Sequence, residues 1–94
     1  MFEENLSPGE TSPDIWETAG DIWYDLGRHD QAVGYYTKAI EIDPKRVSAL
    51  FRLGYTLRKV MRYEEAITAL DRALAVDPGY TYALSNKGYA LIAL

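Results

Sequence analysis

The chain repeats itself. Laid on itself at an offset of 34 residues, Gly20, Gly54 and Gly88 coincide, as do Ala32 with Ala66, Ala39 with Ala73, Ile42 with Val76, and Asp43-Pro44 with Asp77-Pro78. The stretches KAIEIDP and RALAVDP are recognisably one element written twice. A period of this length is one supersecondary unit that cannot bury its apolar face alone, so neighbouring copies must stack to share a core.

Within each period, two helical patterns alternate with short breaks. The first spans about residues 13 to 26, with Ser12 placed to cap the orphan amides, Pro13 suited to the first helical position and Gly27 as the stop. A second, about 30 to 42, puts Ala32, Val33, Tyr36, Ala39 and Ile40 on one face before Pro44 ends it. The pair recurs at about 46 to 60 and 63 to 76, and a fifth helix begins near Thr81 and still runs at Leu94. Nothing alternates like a half-buried strand, so the expected class is all-α. Small residues at Gly20, Ala32 and Ala39 let two helices approach closely in an antiparallel hairpin, while Trp16, Trp23 and Tyr36 fill the wider gaps.

These residues carry a resemblance to the tetratricopeptide repeat family. The first copy reads Trp16, Ala19-Gly20, Trp23, Ala32, Tyr36, Ala39, Pro44 and the second Leu50, Leu53-Gly54, Leu57, Ala66, Leu70, Ala73, Pro78. The third supplies Leu84, Lys87-Gly88 and Leu91. Departures are Ala19 and Lys87 in leucine slots, His29 in an aromatic slot and Met61 where the first copy has Gly27. The resemblance implies a right-handed α-solenoid of antiparallel hairpins, two full repeats plus one C-terminal helix. The expected division is a flexible segment 1–12, then a repeat domain 13–94 split into 13–46, 47–80 and 81–94. Two accounts of the last helix stay open. In one it is a cap, as the polar Lys87 suggests; in the other it belongs to a longer array, as the uncovered Leu84, Leu91 and Leu94 and the lack of a closing signal suggest.

Composition narrows the function. There is no cysteine and a single histidine, which excludes disulfides, thiolate metal sites and cysteine nucleophiles and leaves His29 without a metal-ligating companion. No cofactor or metal site is expected. The first 46 residues hold ten Asp and Glu against four Lys and Arg, and the rest hold four against six. Such an acidic chain lacks the broad basic face that counterion release demands of a nucleic-acid binder, so no nucleic acid is expected. No apolar run approaches the ~20 residues that span a bilayer, and MFEENLSPGETSP lacks the basic start and apolar stretch of a secretory signal. The expectation is a cytoplasmic protein with no membrane partner. No nucleophile stands beside a base, and Asp14, Glu17, Asp21 and Asp25 at helical spacings read as a solvated acidic ridge; the chain is not expected to be an enzyme.

Aromatic residues are the better lead, since eight Tyr, two Trp and two Phe exceed what the core slots use. The resemblance implies that the first helix of each hairpin lines a concave groove. That inner face holds the expected peptide-binding residues Glu17, Asp21, Tyr24, Phe51, Arg52, Tyr55, Arg58, Tyr82, Asn86 and Tyr89. The family's chaperone-tail binders use a two-carboxylate clamp of lysines, asparagines and an arginine. Here the matching positions are Glu17, Asp21, Arg52, Tyr82 and Asn86, and acids stand where the first lysine and asparagine belong, which disfavours that ligand. The reading is a protein–protein interaction module for a protein or peptide ligand, with acids of the first copy taking basic ligand groups and Arg52 and Arg58 taking acidic ones. Its rivals are a self-associating scaffold, a weak homodimer through the C-terminal helix, and the accessory arm of an enzyme lying outside this chain.

Overall fold

The computed structural model describes residues 12–94; the rest of the expected flexible segment 1–12 lies outside the described residues. Five helices follow in order: α1 (Pro13–Asp25), α2 (His29–Ile42), α3 (Val47–Lys59), α4 (Tyr63–Val76) and α5 (Thr81–Ala93). They pack as antiparallel hairpins, α1 on α2 and α3 on α4, with α5 laid against α4 and α3.

Two turns, each used twice, set this path. Inside each hairpin the chain reverses through a residue in the left-handed region, Gly27 (φ 80°) and Met61 (φ 65°). Its amide donates to the carbonyl three back (Tyr24, Arg58) and the next amide to the carbonyl five back (Trp23, Leu57), which satisfies the helix end. Between hairpins, Asp43 and Asp77 take the amides of Arg46 and Tyr80 on their carbonyls, and their carboxylates accept from Lys45 and Gly79. At the start of α1 the Ser12 hydroxyl accepts the Asp14 amide and Pro13 occupies the first position, as expected.

The close approach expected at the repeated glycines is real for two of them. A Cβ at Gly20 would fall 2.5 Å from the Tyr36 ring, and one at Gly54 would fall 2.6 Å from Leu70, so the second helix of each hairpin seats a large side chain on bare backbone. At Gly88 nothing lies within 4 Å. The core follows the repeats: Trp16, Ala39, Ile40, Ala49, Leu50, Leu70, Ala73 and Ala83 form one cluster, and Leu57, Ala66 and Ala69 a smaller one. Both flanks of the stack are apolar and open, with Ile15 and Ile22 on α1 and Leu26 just after it, and Leu84, Leu91, Ile92 and Leu94 at the other end. Leu91 is about half exposed, whereas Ala83 and Ala90 are fully buried, and Lys87 of α5 pairs with Asp71 of α4 at 2.7 Å. Among the described residues, no helix is long and apolar enough to cross a membrane.

Candidate functional site

The first helices of successive hairpins, α1, α3 and α5, lie side by side, and the residues expected to line a groove divide there into two groups. The acidic residues of α1 do not form a solvated ridge. Glu17 is 7% exposed. Arg46 Nε donates to its Oε1 at 2.6 Å, Arg52 Nε pairs with Oε2 at 3.0 Å, and the Ser48 hydroxyl adds a bond at 3.1 Å. Arg46 also pairs with Asp14, and Arg52 with Asp21 at 2.8 Å, while the Tyr36 hydroxyl donates to the same Asp21 oxygen at 2.5 Å. The physical reason is register: the arginines at the start and second turn of α3 reach the carboxylates of α1, and mutual attraction replaces the expected repulsion. Burial pushes the Glu17 carboxyl up, against the pull of Ser48 and Arg52.

Glu17, Asp21 and Arg52 are therefore joints between the first and second hairpins before they are anything else. Arg52, expected to meet acidic ligand groups, is already shared by two carboxylates. What remains for a ligand among the acids of this helix is Asp25, which is exposed and forms no ion pair among the described residues. Among the described residues, no group of His, Cys, Asp and Glu is arranged to hold a metal ion.

The aromatic residues come together as a continuous row. Tyr24 on α1 meets Tyr55 on α3 with centroids 5.8 Å apart; Tyr55 meets Phe51 at 5.9 Å, and Phe51 meets Tyr82 on α5 at 6.0 Å and Tyr80 at 5.6 Å. His29, the first residue of α2, closes the far end at 4.8 Å from Tyr24. Beside the row, Arg58 lies over Tyr55 at 5.1 Å and over Tyr89 at 4.3 Å, and its Nε donates to Asn86 Oδ1 at 2.8 Å. Asn86 is held in turn by donating to the Tyr82 carbonyl. Burial and a hydrogen bond to Tyr55 push the Tyr24 hydroxyl up to about 12, and the same bond draws the Tyr55 hydroxyl down.

Between α1 and α3 the row borders a hollow of about 400 Å³, lined by Tyr24, Phe51 and Tyr55 together with Asp25 and the paired Asp21 and Arg52. Phe51 is half-buried and also touches the main core cluster, so it is both wall and core. Tyr80 was not among the expected site residues. It follows Asp77-Pro78-Gly79 at the repeat position held by Arg46 one copy earlier, and an aromatic there was the available signal.

A family model described as tetratricopeptide repeat matches residues 24–87. No curated protein sequence matches the chain. Among solved structures, the chain is similar to the first TPR of Spaghetti (RPAP3) bound to the HSP90 peptide SRMEEVD, with a TM-score of 0.85 at 23% identity over 87% of this chain and 65% of that one. It is also similar to yeast Sti1 in its TPR2B-domain:pHsp70 complex, with a TM-score of 0.82 at 26% identity over 86% of this chain and 65% of that one. A third likeness is to YrrB, described as a TPR protein with an unusual peptide-binding site, with a TM-score of 0.82 at 24% identity over 89% of this chain and 43% of that one. The chain spans less than two thirds of the length of each of these structures.

Proposed function

Because the chain belongs to the tetratricopeptide repeat family, we propose that it is a protein–protein interaction module that holds a peptide or partner helix against the shared face of α1, α3 and α5, with 13–46 and 47–80 as its two hairpins and 81–94 as the opening helix of a third. One observation carries this reading. The row from Tyr24 through Tyr55 and Phe51 to Tyr82 joins all three helices, and of these four only Phe51 also packs against the core. Rigid aromatic side chains with polar tips supply much contact area at small entropic cost, which is why they recur as binding anchors.

The solved neighbours bound to HSP90 or Hsp70 peptides lend support at the level of mode rather than ligand. SRMEEVD ends in acids. In this chain the α1 side of the groove is itself acidic and Arg52 is committed to Glu17 and Asp21, so the surface favours a ligand with basic character. A random-peptide library displayed on phage and panned against the protein tests the module reading. Enriched peptides should lose most of their binding to Phe51→Ala and Tyr55→Ala proteins that still fold; a library yielding no groove-dependent peptide would overturn it.

A second reading is favoured by the open face at Gly88. Gly20 and Gly54 each receive a side chain from a following helix, whereas the face carrying Gly88, Leu84 and Leu91 receives none. Two copies that bury these faces against each other would make a weak isologous dimer, and mass action would raise its melting temperature with concentration. Sedimentation at two concentrations decides; a single monomer species at both would remove this reading.

A further inference from the structure

Resting on the groove reading above, we infer that the ligand is a proline-rich peptide in the polyproline II conformation, carrying a basic side chain that lands at the C-terminal end of α1. The backbone amides and carbonyls of α1, α3 and α5 are used inside the helices, so this face cannot extend a ligand strand through main-chain pairing. Its polar groups are side chains, and along the row they are mainly donors: the hydroxyls of Tyr55 and Tyr82 and the cations of Arg58 and Lys59. A prolyl backbone matches that supply. It presents carbonyl acceptors and has no N–H to leave unpaired against the rings.

Shape points the same way. Four rings follow one another at 5.8, 5.9 and 6.0 Å, crossing from α1 to α3, running along α3 and crossing to α5. A polyproline II helix turns every three residues over about 9 Å, so the row takes roughly two turns, with prolyl rings lying against aromatic faces. An amphipathic helix would need aliphatic sockets along its path; here the floor is tyrosine, phenylalanine and charge.

The charge requirement is local. The first helix ends with no basic residue in its last turn, while α3 ends with Arg58 and Lys59. Asp25, exposed and in no ion pair among the described residues, stands next to Tyr24 on the same hollow, where a ligand cation gains from the carboxylate and the ring together.

The test uses three labelled synthetic peptides of about twelve residues, long enough for several polyproline turns: a proline-rich sequence with one arginine near an end, the same with alanine for each proline, and the same with glutamate for arginine. Fluorescence anisotropy should show the first binding at least tenfold tighter than either control. Asp25→Asn should erase the preference for arginine over glutamate while leaving the preference for proline over alanine. Tyr82→Ala, at an exposed position whose loss leaves the fold intact, should weaken the first peptide severalfold. Equal binding of the proline and alanine peptides, or no binding of the proline peptide, overturns the inference. The library distinguishes the two failures: groove-dependent peptides without proline leave the module standing and remove this ligand, whereas no groove-dependent peptide removes both.

Discussion

At the scale of single residues, three glycines at one repeat position live in three environments. A methyl at Gly20 meets the Tyr36 ring at 2.5 to 2.9 Å, and one at Gly54 meets Leu70 at 2.6 and 2.7 Å with the Ala66 carbonyl oxygen behind it at 3.3 Å. Each would force two packed helices apart, so Gly20→Ala and Gly54→Ala should each destabilise by about 1–3 kcal/mol. Gly88→Ala meets nothing and should stabilise by about 0.5–1 kcal/mol, the ordinary gain of alanine over glycine inside a helix. Urea melts of the three variants check the pattern, and a stabilised Gly54→Ala would show that the hairpin is looser than described. The tyrosine pair offers a second residue-scale test. Tyr24 keeps its proton from the ordinary 10.0 up to about 12 in the folded protein, so over that window the native state binds a proton that the unfolded chain has lost, and stability falls as pH rises. The shift of Tyr55 has the opposite sign and acts below 10.0. Alkaline titration followed by phenolate absorbance should show one early tyrosine, and Tyr24→Phe should move it toward the ordinary range by removing the largest cause of its lowering, leaving the smaller pull of Lys59 and Arg58.

The helical elements were largely legible, and the reasons are local. Ser12-Pro13, Gly27, Pro44 and Pro78 fix ends through backbone chemistry that needs no tertiary context, which is why the expected and observed boundaries differ by a residue or so, with Tyr63–Val76 the same in both. Illegible was the partnership between elements. Nothing within α1 reveals that Glu17 is buried, because its partners Arg46 and Arg52 stand 29 and 35 residues away. The signal existed only in combination: the repeat offset places α3 beside α1, and acids at 14, 17 and 21 then face bases at 46 and 52. The aromatic row was half legible, since Tyr24, Phe51, Tyr55 and Tyr82 all fall on the first helices of successive repeats, which the resemblance assigns to the groove, whereas Tyr80 enters it from a turn. One departure from the repeat pattern has an energetic meaning at this scale. Met61 adopts φ 65° where the first hairpin uses Gly27, and its side chain is largely exposed, so it bears the cost of a left-handed residue with little packing in return. Met61→Gly should therefore stabilise the turn by about 0.5–1 kcal/mol, since glycine carries no Cβ penalty there. A loss of stability in a thermal melt would mean that Met61 contributes contacts worth more than its strain.

For the molecule as a whole, stacking makes stability a matter of neighbours. The third helix is the centre: α4 covers it as hairpin partner, α2 and α5 pack on it from either side, and its arginine, with Arg46 just before it, ties it to α1. The fifth helix has one covered side, in which Ala83 and Ala90 are buried, and its other side holds Leu84, Leu91 and Ile92 in solvent. No side chain caps its start, and no basic residue stands in its last turn. In a stack with only neighbour contacts, an element covered on one side opens at a lower free energy than the body it leans on. Native-state hydrogen exchange should accordingly show amides of α3 and α4 exchanging only through global unfolding, while those of α5 exchange through a local opening several kcal/mol cheaper and insensitive to the stability of the first hairpin. Gly88→Ala should slow that local opening and leave exchange in α1 unchanged, because the substitution favours α5 alone. A dimer through the open face would add a further mark: protection of α5 would climb with protein concentration while that of α3 stayed fixed. Should α5 exchange with the same free energy as α3 at every concentration, the stack is one cooperative unit, and the view of α5 as a half-covered helix that opens on its own would be wrong.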